Sequence, residues 1–132
     1  MKLSFDVEVR TYELDSYGHV NHAVYLNYFE YTRMKFIQAI GFDYEGLLND
    51  GYYLYITKVN IIYKRSVVLN DVLSIEVEPI KEGAASGVYR QQAFNQRGEL
   101  CAEADVTWAC VDQKTGKPAR LPEKYRLNIH KD

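Results

Sequence analysis

No stretch of this 132-residue chain is apolar for long enough to cross a membrane as a helix, which takes about 20 residues. The opening MKLSFDVEV lacks the apolar segment of a secretory leader. Cysteine is scarce. Only Cys101 and Cys110 are present, which excludes a disulfide-stapled scaffold. They lie nine residues apart in one apparent strand, an odd step that predicts opposite faces and no bridge between them. Two free thiols and no leader lead us to expect a reducing, cytoplasmic setting. Positive charge is not in excess either: the net charge is -2, so no general basic surface points to nucleic acid. The 12 tyrosines could stack on bases, but none falls in the aromatic and basic pattern of an RNA-binding sheet. Repeats, linkers and low-complexity tracts are missing. What remains is 47% hydrophobic and 26% charged, the composition of one globular domain over residues 1–132.

Hydrophobic periodicity sets the expected elements. Residues 4–12 alternate, with Phe5, Val7 and Val9 on one face, and predict a half-buried strand. A loop follows to Asn21, a good N-cap for a helix running to about Ile40, with Gly41 just past its end. That helix is apolar or aromatic around most of its circumference, so it belongs under a sheet or in an interface. Residues 42–51 read as a helical turn and a loop. From Tyr52 the period changes to two. A strand over 52–66 looks partly buried on two sides or bulged near Val59–Ile61. Leu73, Ile75 and Val77 share one face of the next strand. Tyr89, Gln91 and Ala93 alternate with Val88, Arg90 and Gln92. Ala102, Ala104, Val106 and Trp108 share a face of the last strand, over 100–112. The tail holds Pro118, Pro122 and a possible short helix. The four strands from Tyr52 on are joined by short turns, which implies antiparallel pairing in a row as a meander, and one apolar helix must pack on one face of the sheet. The fold class is α+β, a curved antiparallel sheet of about five strands wrapped around a long helix.

The chemistry gathers in LDSYGHVNHAVYLNYFE, residues 14–30. The first amides of a helix lack internal partners, and the helix dipole makes that end positive. An oxygen that becomes negative during reaction is stabilised there. Gly18 lets the chain fold back, so Asp15 can face the helix mouth near His22. A carboxylate opposite an oxyanion site is the layout for acyl transfer to water. Each residue also has a plainer role. Asp15 suits a turn, His19 and His22 suit a surface, Asn21 suits a cap, and Tyr25, Tyr28 and Phe29 suit a core. A metal site built from Asp15, His19 and His22 would lack further ligands, since His130 sits apart in the tail.

Tyr12 to Glu30, YELDSYGHVNHAVYLNYFE, resembles the opening motif of hotdog-fold acyl-CoA thioesterases of the 4-hydroxybenzoyl-CoA thioesterase type. Ile61 to Glu76, IIYKRSVVLNDVLSIE, is similar to their second hallmark: a strand ending in a basic residue, a turn with an acidic one, then an apolar strand. The resemblance implies a helix wrapped by a sheet and edge-to-edge homodimers that often pair into tetramers. It also implies an active site at the dimer interface. Its catalytic carboxylate, base on water or nucleophile, matches Asp15, and its carbonyl-polarising N–H matches His22, whose imidazole can also contribute. Glu13 stands where one branch carries a second acidic residue. The implied substrate is an acyl-CoA or, alternatively, an acyl-carrier-protein thioester, with a short, aromatic or fatty acyl group. Tyr25 would border the substrate, and Lys64 and Arg65 would meet the CoA phosphates. No metal or organic cofactor is needed, because a thioester is already activated. Two rival readings exist. A binding module would need no carboxylate at the helix mouth. A dehydratase would need a different spacing of acid and histidine.

Overall fold

The computed structural model describes residues 1–129, so His130 lies outside the described residues. The strands are β1 (Leu3–Glu8), β2 (Tyr52–Tyr63), β3 (Val72–Glu82), β4 (Ser86–Phe94) and β5 (Leu100–Asp112). The helices are α1 (Val24–Ala39) and the short α2 (Tyr44–Asn49). The strands form one antiparallel sheet in the order β1-β3-β4-β5-β2. Only β3, β4 and β5 form a meander. β2 pairs with β5 and not with its sequence neighbour β3, which corrects the expectation of four strands in a row. β1 and β2 therefore sit at opposite edges. The chain between them has to cross the sheet, and α1 makes that crossing.

The inner face follows the alternation read from the sequence. Leu73, Ile75 and Val77 of β3 face inward with Ala93 of β4 and Ala102, Ala104 and Val106 of β5. Small side chains on the sheet leave room for large ones on the helix. Tyr25, Tyr28 and Phe29 fill the space over the alanines. Phe36 packs farther along, with Val77, Tyr89, Trp108 and Leu121. Burying one such ring stabilises the fold by roughly 1.5–3 kcal/mol. One fully buried polar residue, Gln91, sits among them. Its amide donates to the Phe29 carbonyl and to Thr32 Oγ1, both at 2.9 Å, and its oxygen accepts from Arg33. A satisfied buried amide fixes the rotation of α1 on the sheet more sharply than apolar contact does.

Several boundaries differ from expectation for local reasons. β1 ends at Glu8, and a 3-10 turn at Thr11–Glu13 follows. α1 starts at Val24, because Asn21 caps a preceding turn: its Oδ1 takes the Ala23 N–H and its carbonyl the Val24 N–H. At the other end Gly41, with φ 75°, closes a Schellman motif in which the Phe42 N–H reaches the Ile37 carbonyl. β2 is an exposed edge strand and not buried on two sides, and its bulge falls between Ile56 and Lys58. A second bulge, at Cys101 in β5, breaks the parity argument for the cysteines. Cys101 joins the buried cluster of Tyr25, and Cys110 that of Phe36. Both thiols are free and buried, about 30 Å apart along the strand. Burial raises the pKa of each.

Gly87 pairs with Trp108 across β4 and β5, and a Cβ there would lie 2.5 Å from the indole ring. Gly87→Ala should therefore cost about 1–3 kcal/mol, the usual scale of overpacking. Denaturant titration checks this. An unchanged midpoint would mean that the indole yields freely.

Candidate active site

Residues 14–20 form a tight hairpin. Leu14 bridges Val20, the Asp15 N–H donates to the His19 carbonyl at 2.7 Å, and the Gly18 N–H to the Asp15 carbonyl at 3.1 Å. Gly18 takes φ 78°, the left-handed position that this three-residue turn demands. The turn wraps around the Asp15 carboxylate. Its Oδ1 accepts the Tyr17 N–H at 2.9 Å and the His19 N–H at 3.1 Å. Its Oδ2 has no hydrogen-bond partner among the described residues. The backbone N–H of Tyr17, then that of His19, hold the carboxyl below the usual aspartate value, and the nearby His19 and His22 add to this.

The hairpin is fixed to the core by Glu13, which is buried. One Glu13 oxygen accepts from the Arg10 N–H at 2.7 Å and from the Tyr28 hydroxyl at 2.9 Å. The other pairs with the Arg10 guanidinium at 3.1 Å, and the Glu13 carbonyl takes the Asn21 N–H. Tyr28 belongs to α1, so one carboxylate ties the loop to the helix. On the far side the Val20 N–H donates to the Val67 carbonyl, and His19 bridges Val68.

His22 is exposed two residues before α1. Among the described residues its N–H has no acceptor. Its carbonyl accepts the Tyr63 hydroxyl at 2.8 Å, and the Tyr63 ring meets Tyr25 edge-on at 5.3 Å. Tyr63 was not singled out from the sequence. Its signal was faint: an aromatic at a strand end, beside the two cations. Tyr25 is almost wholly buried, and its hydroxyl is pushed up to about 12 by burial. Lys64 and Arg65 follow Tyr63 directly and are exposed. Arg65 is engaged by Glu99 at 3.3 Å, whereas Lys64 has no ion pair among the described residues. The structure thus gathers Asp15, His19, His22, Tyr63 and Tyr25 at one corner and starts both cations there. Among the described residues no three His, Cys, Asp or Glu side chains form a metal-binding group.

Residues 9–129 match the thioesterase-like superfamily. The chain belongs to that superfamily. It is 32% identical over 124 residues to the long-chain acyl-CoA thioesterase FadM of Escherichia coli K12, covering 93% of each chain. It is 29% identical over 128 residues to the acyl-CoA thioesterase YbgC of Haemophilus influenzae, covering 96% of this chain and 93% of that one. Among solved structures, a DHNA-CoA thioesterase from Staphylococcus aureus superposes with TM-score 0.87 at 28% identity, over 98% of this chain and 86% of that one. The superfamily member described here is thus a hotdog-fold thioester hydrolase, as the opening motif implied. No helix among the described residues is long and apolar enough to cross a membrane.

The hydrogen bonds to Oδ1 have a measurable consequence. A folded-state pKa below the unfolded value contributes stability above the ordinary value of 3.8, and that contribution is lost as pH falls through the lower folded value. Carbon-13 titration of the Asp15 carboxyl should give a midpoint below 3.8. A midpoint at or above it would mean that the turn amides do not hold the carboxylate in solution.

Proposed function

We propose that this hydrolase cleaves acyl-CoA thioesters with Asp15 as the catalytic carboxylate and the His22 N–H as the oxyanion donor. The observation that carries this reading is a pair of groups around one turn that have no partner among the described residues: the Oδ2 of Asp15 and the N–H of His22. The thioester carbonyl accepts from His22 at the positive end of α1, which polarises its carbon. Asp15 can act as base on a water or as the nucleophile, and the nucleophilic route has two steps. Asp15 Oδ2 adds to the thioester carbon, the C–S bond breaks, and CoA leaves as a thiolate that takes a proton from water. Water then hydrolyses the aspartyl anhydride to the free carboxylic acid and the Asp15 carboxylate, and the proton released neutralises the hydroxide left by the thiolate. The exposed His22 imidazole orients substrate or water. Lys64, not held by an acid, meets a CoA phosphate, and Arg65 contributes as far as Glu99 releases it. Tyr25 backs the site through its contact with Tyr63. In a reducing cytoplasm Cys101 and Cys110 stay thiols.

A second copy completes the site. β2 presents an unpaired edge of 12 residues with Tyr55, Ile56, Ile62 and Tyr63 exposed. A long apolar edge invites another strand, and β2 of a second copy continues the sheet through it. That joint runs past Tyr63 and so past the helix mouth. Sedimentation at micromolar concentration should show a dimer or a dimer of dimers. A stable monomer would contradict an interface-built site.

Asp15→Asn preserves the acceptor for Tyr17 and His19 and removes the charge. CoA release should fall roughly a hundredfold or more, the scale of a catalytic proton-transfer or nucleophilic group. His22→Ala keeps the backbone N–H and should cost less. Near wild-type release by Asp15→Asn would overturn the assignment. A deeper loss at His22 would move the chemistry to the imidazole.

A further inference from the structure

We infer that Asp71, a buried carboxylate outside the proposed chemistry, is a positioning residue that holds the Asp15 hairpin in place through the 67–71 turn. The inference rests on Asp15 being the catalytic carboxylate. Asp71 is the acidic residue in the turn of the second sequence motif, and no step of the reaction uses it. It is 4% exposed and has no ion pair among the described residues. Arg97, close enough for the two charges to interact, is bound to Glu99 at 2.8 Å. Burying a carboxylate without a cation is costly unless neutral donors hold its oxygens. The donors that Asp71 takes show what it holds.

Its Oδ2 accepts the Val68 N–H at 3.0 Å, and its Oδ1 accepts the Gln96 side-chain amide at 2.8 Å. The main chain of Asp71 acts on the same turn. Its N–H donates to the Val68 carbonyl at 3.1 Å, and its carbonyl accepts the Val9 N–H at 3.2 Å. Val68 is therefore clamped by both its N–H and its carbonyl, although Val68, Leu69 and Asn70 are all exposed. From Val68 the tie passes to the hairpin. Val68 bridges His19, and the Val67 carbonyl accepts the Val20 N–H at 2.8 Å. The His19 N–H donates in turn to Asp15 Oδ1 at 3.1 Å. A chain of contacts thus leads from the buried carboxylate to the proposed catalytic one. On the other side Val9 leads into Arg10 and Glu13, the tie to α1. Asp71 joins the two anchors of the hairpin.

The hydrogen-bond pattern around Asp71 sets up its own rescue. Gln96 uses both ends of its amide: Nε2 donates to Asp71, and Oε1 accepts the Val72 N–H at 3.1 Å. Asp71→Asn keeps the size but turns one acceptor into a donor. With the new oxygen on Val68, the new NH2 meets the Gln96 NH2. Turning the Gln96 amide over removes that conflict and creates another with the Val72 N–H. Every arrangement leaves two donors facing each other, and a buried group left unsatisfied costs enough to shift the turn. Gln96→Glu in the same chain offers oxygen to both the new NH2 and the Val72 N–H. The double variant therefore restores the pattern, with the carboxylate moved by one side chain to an exposed position.

Asp71→Asn should lower kcat about tenfold or more, since a catalytic group misplaced by about 1 Å loses up to about a hundredfold. KM should change little. Carbon-13 titration of Asp15 reads its position without turnover. Loss of the His19 N–H should raise the midpoint part of the way toward 3.8, while the Tyr17 N–H, local to the turn, stays. Removing the Asp71 negative charge acts the other way and lowers it, so a rise reports position and not field. Asp71→Asn with Gln96→Glu should bring both readouts back. Gln96→Ala, at an exposed position, should keep the fold and move both in the same direction by less. An unmoved or lowered midpoint in Asp71→Asn would overturn the inference and leave the hydrolase reading standing, as would a double variant as slow as the single one. If Asp71→Asn does not fold, an unmoved midpoint in Gln96→Ala overturns it as well. A midpoint that rises while kcat holds would support the tie and overturn Asp15 as the catalytic carboxylate.

Discussion

The constraint on which this structure depends is topological. β1 and β2 flank the same sheet at opposite edges, so the connection between them must cross its face. A 16-residue helix makes the crossing, and the sheet curves around it. The crossing also fixes where the start of the helix lies. The helix begins where it leaves the loop after β1 and passes close to the end of β2. The His22 N–H, which has no acceptor among the described residues, therefore emerges beside the 14–20 hairpin and Tyr63. The proposed chemistry rests on which residues stand at that one corner.

Three buried interactions keep the corner in register. Gln91 holds the middle of α1 from the sheet side. Glu13 ties Tyr28 of α1 to the loop. The Val20 to Val67 hydrogen bond closes the other side of the hairpin. Removing a donor from a buried carboxylate leaves it short of solvation, so such ties resist drift more strongly than an equal area of apolar contact. The Asp15 carboxylate can then be aimed by its own turn, with one oxygen spent on backbone N–H groups and the other available.

Much of this was legible in the sequence. The alternation of Leu73, Ile75 and Val77, and of Ala102 to Trp108, marked the inner face correctly, and Gly41 marked the helix end. Two things were not legible, for physical reasons. Strand pairing is a long-range choice, so nothing local told that β2 would close on β5 and skip β3. Bulges break parity without a sequence signature, which is why Cys101 turned inward against expectation and why β2 seemed buried on both sides. At the candidate site, the fold-back at Gly18 that brings Asp15 round was legible in the sequence. Tyr63 was not, because its role needs the end of β2 brought against residue 22, which only the closed sheet does. Glu13 was noticed for its position beside Asp15, and its part as the buried tie to Tyr28 appeared only in three dimensions.

The central claim is that the thioester carbonyl lies between the His22 N–H and the free oxygen of Asp15. A crystal structure of the protein with a non-hydrolysable acyl-CoA analogue that keeps the carbonyl tests it most directly. The account predicts the carbonyl oxygen at about 2.7–3.1 Å from the His22 nitrogen. It also predicts Asp15 Oδ2 at about 3–3.5 Å from the carbonyl carbon. A carbonyl bound away from the start of α1, with Asp15 facing solvent, would contradict it.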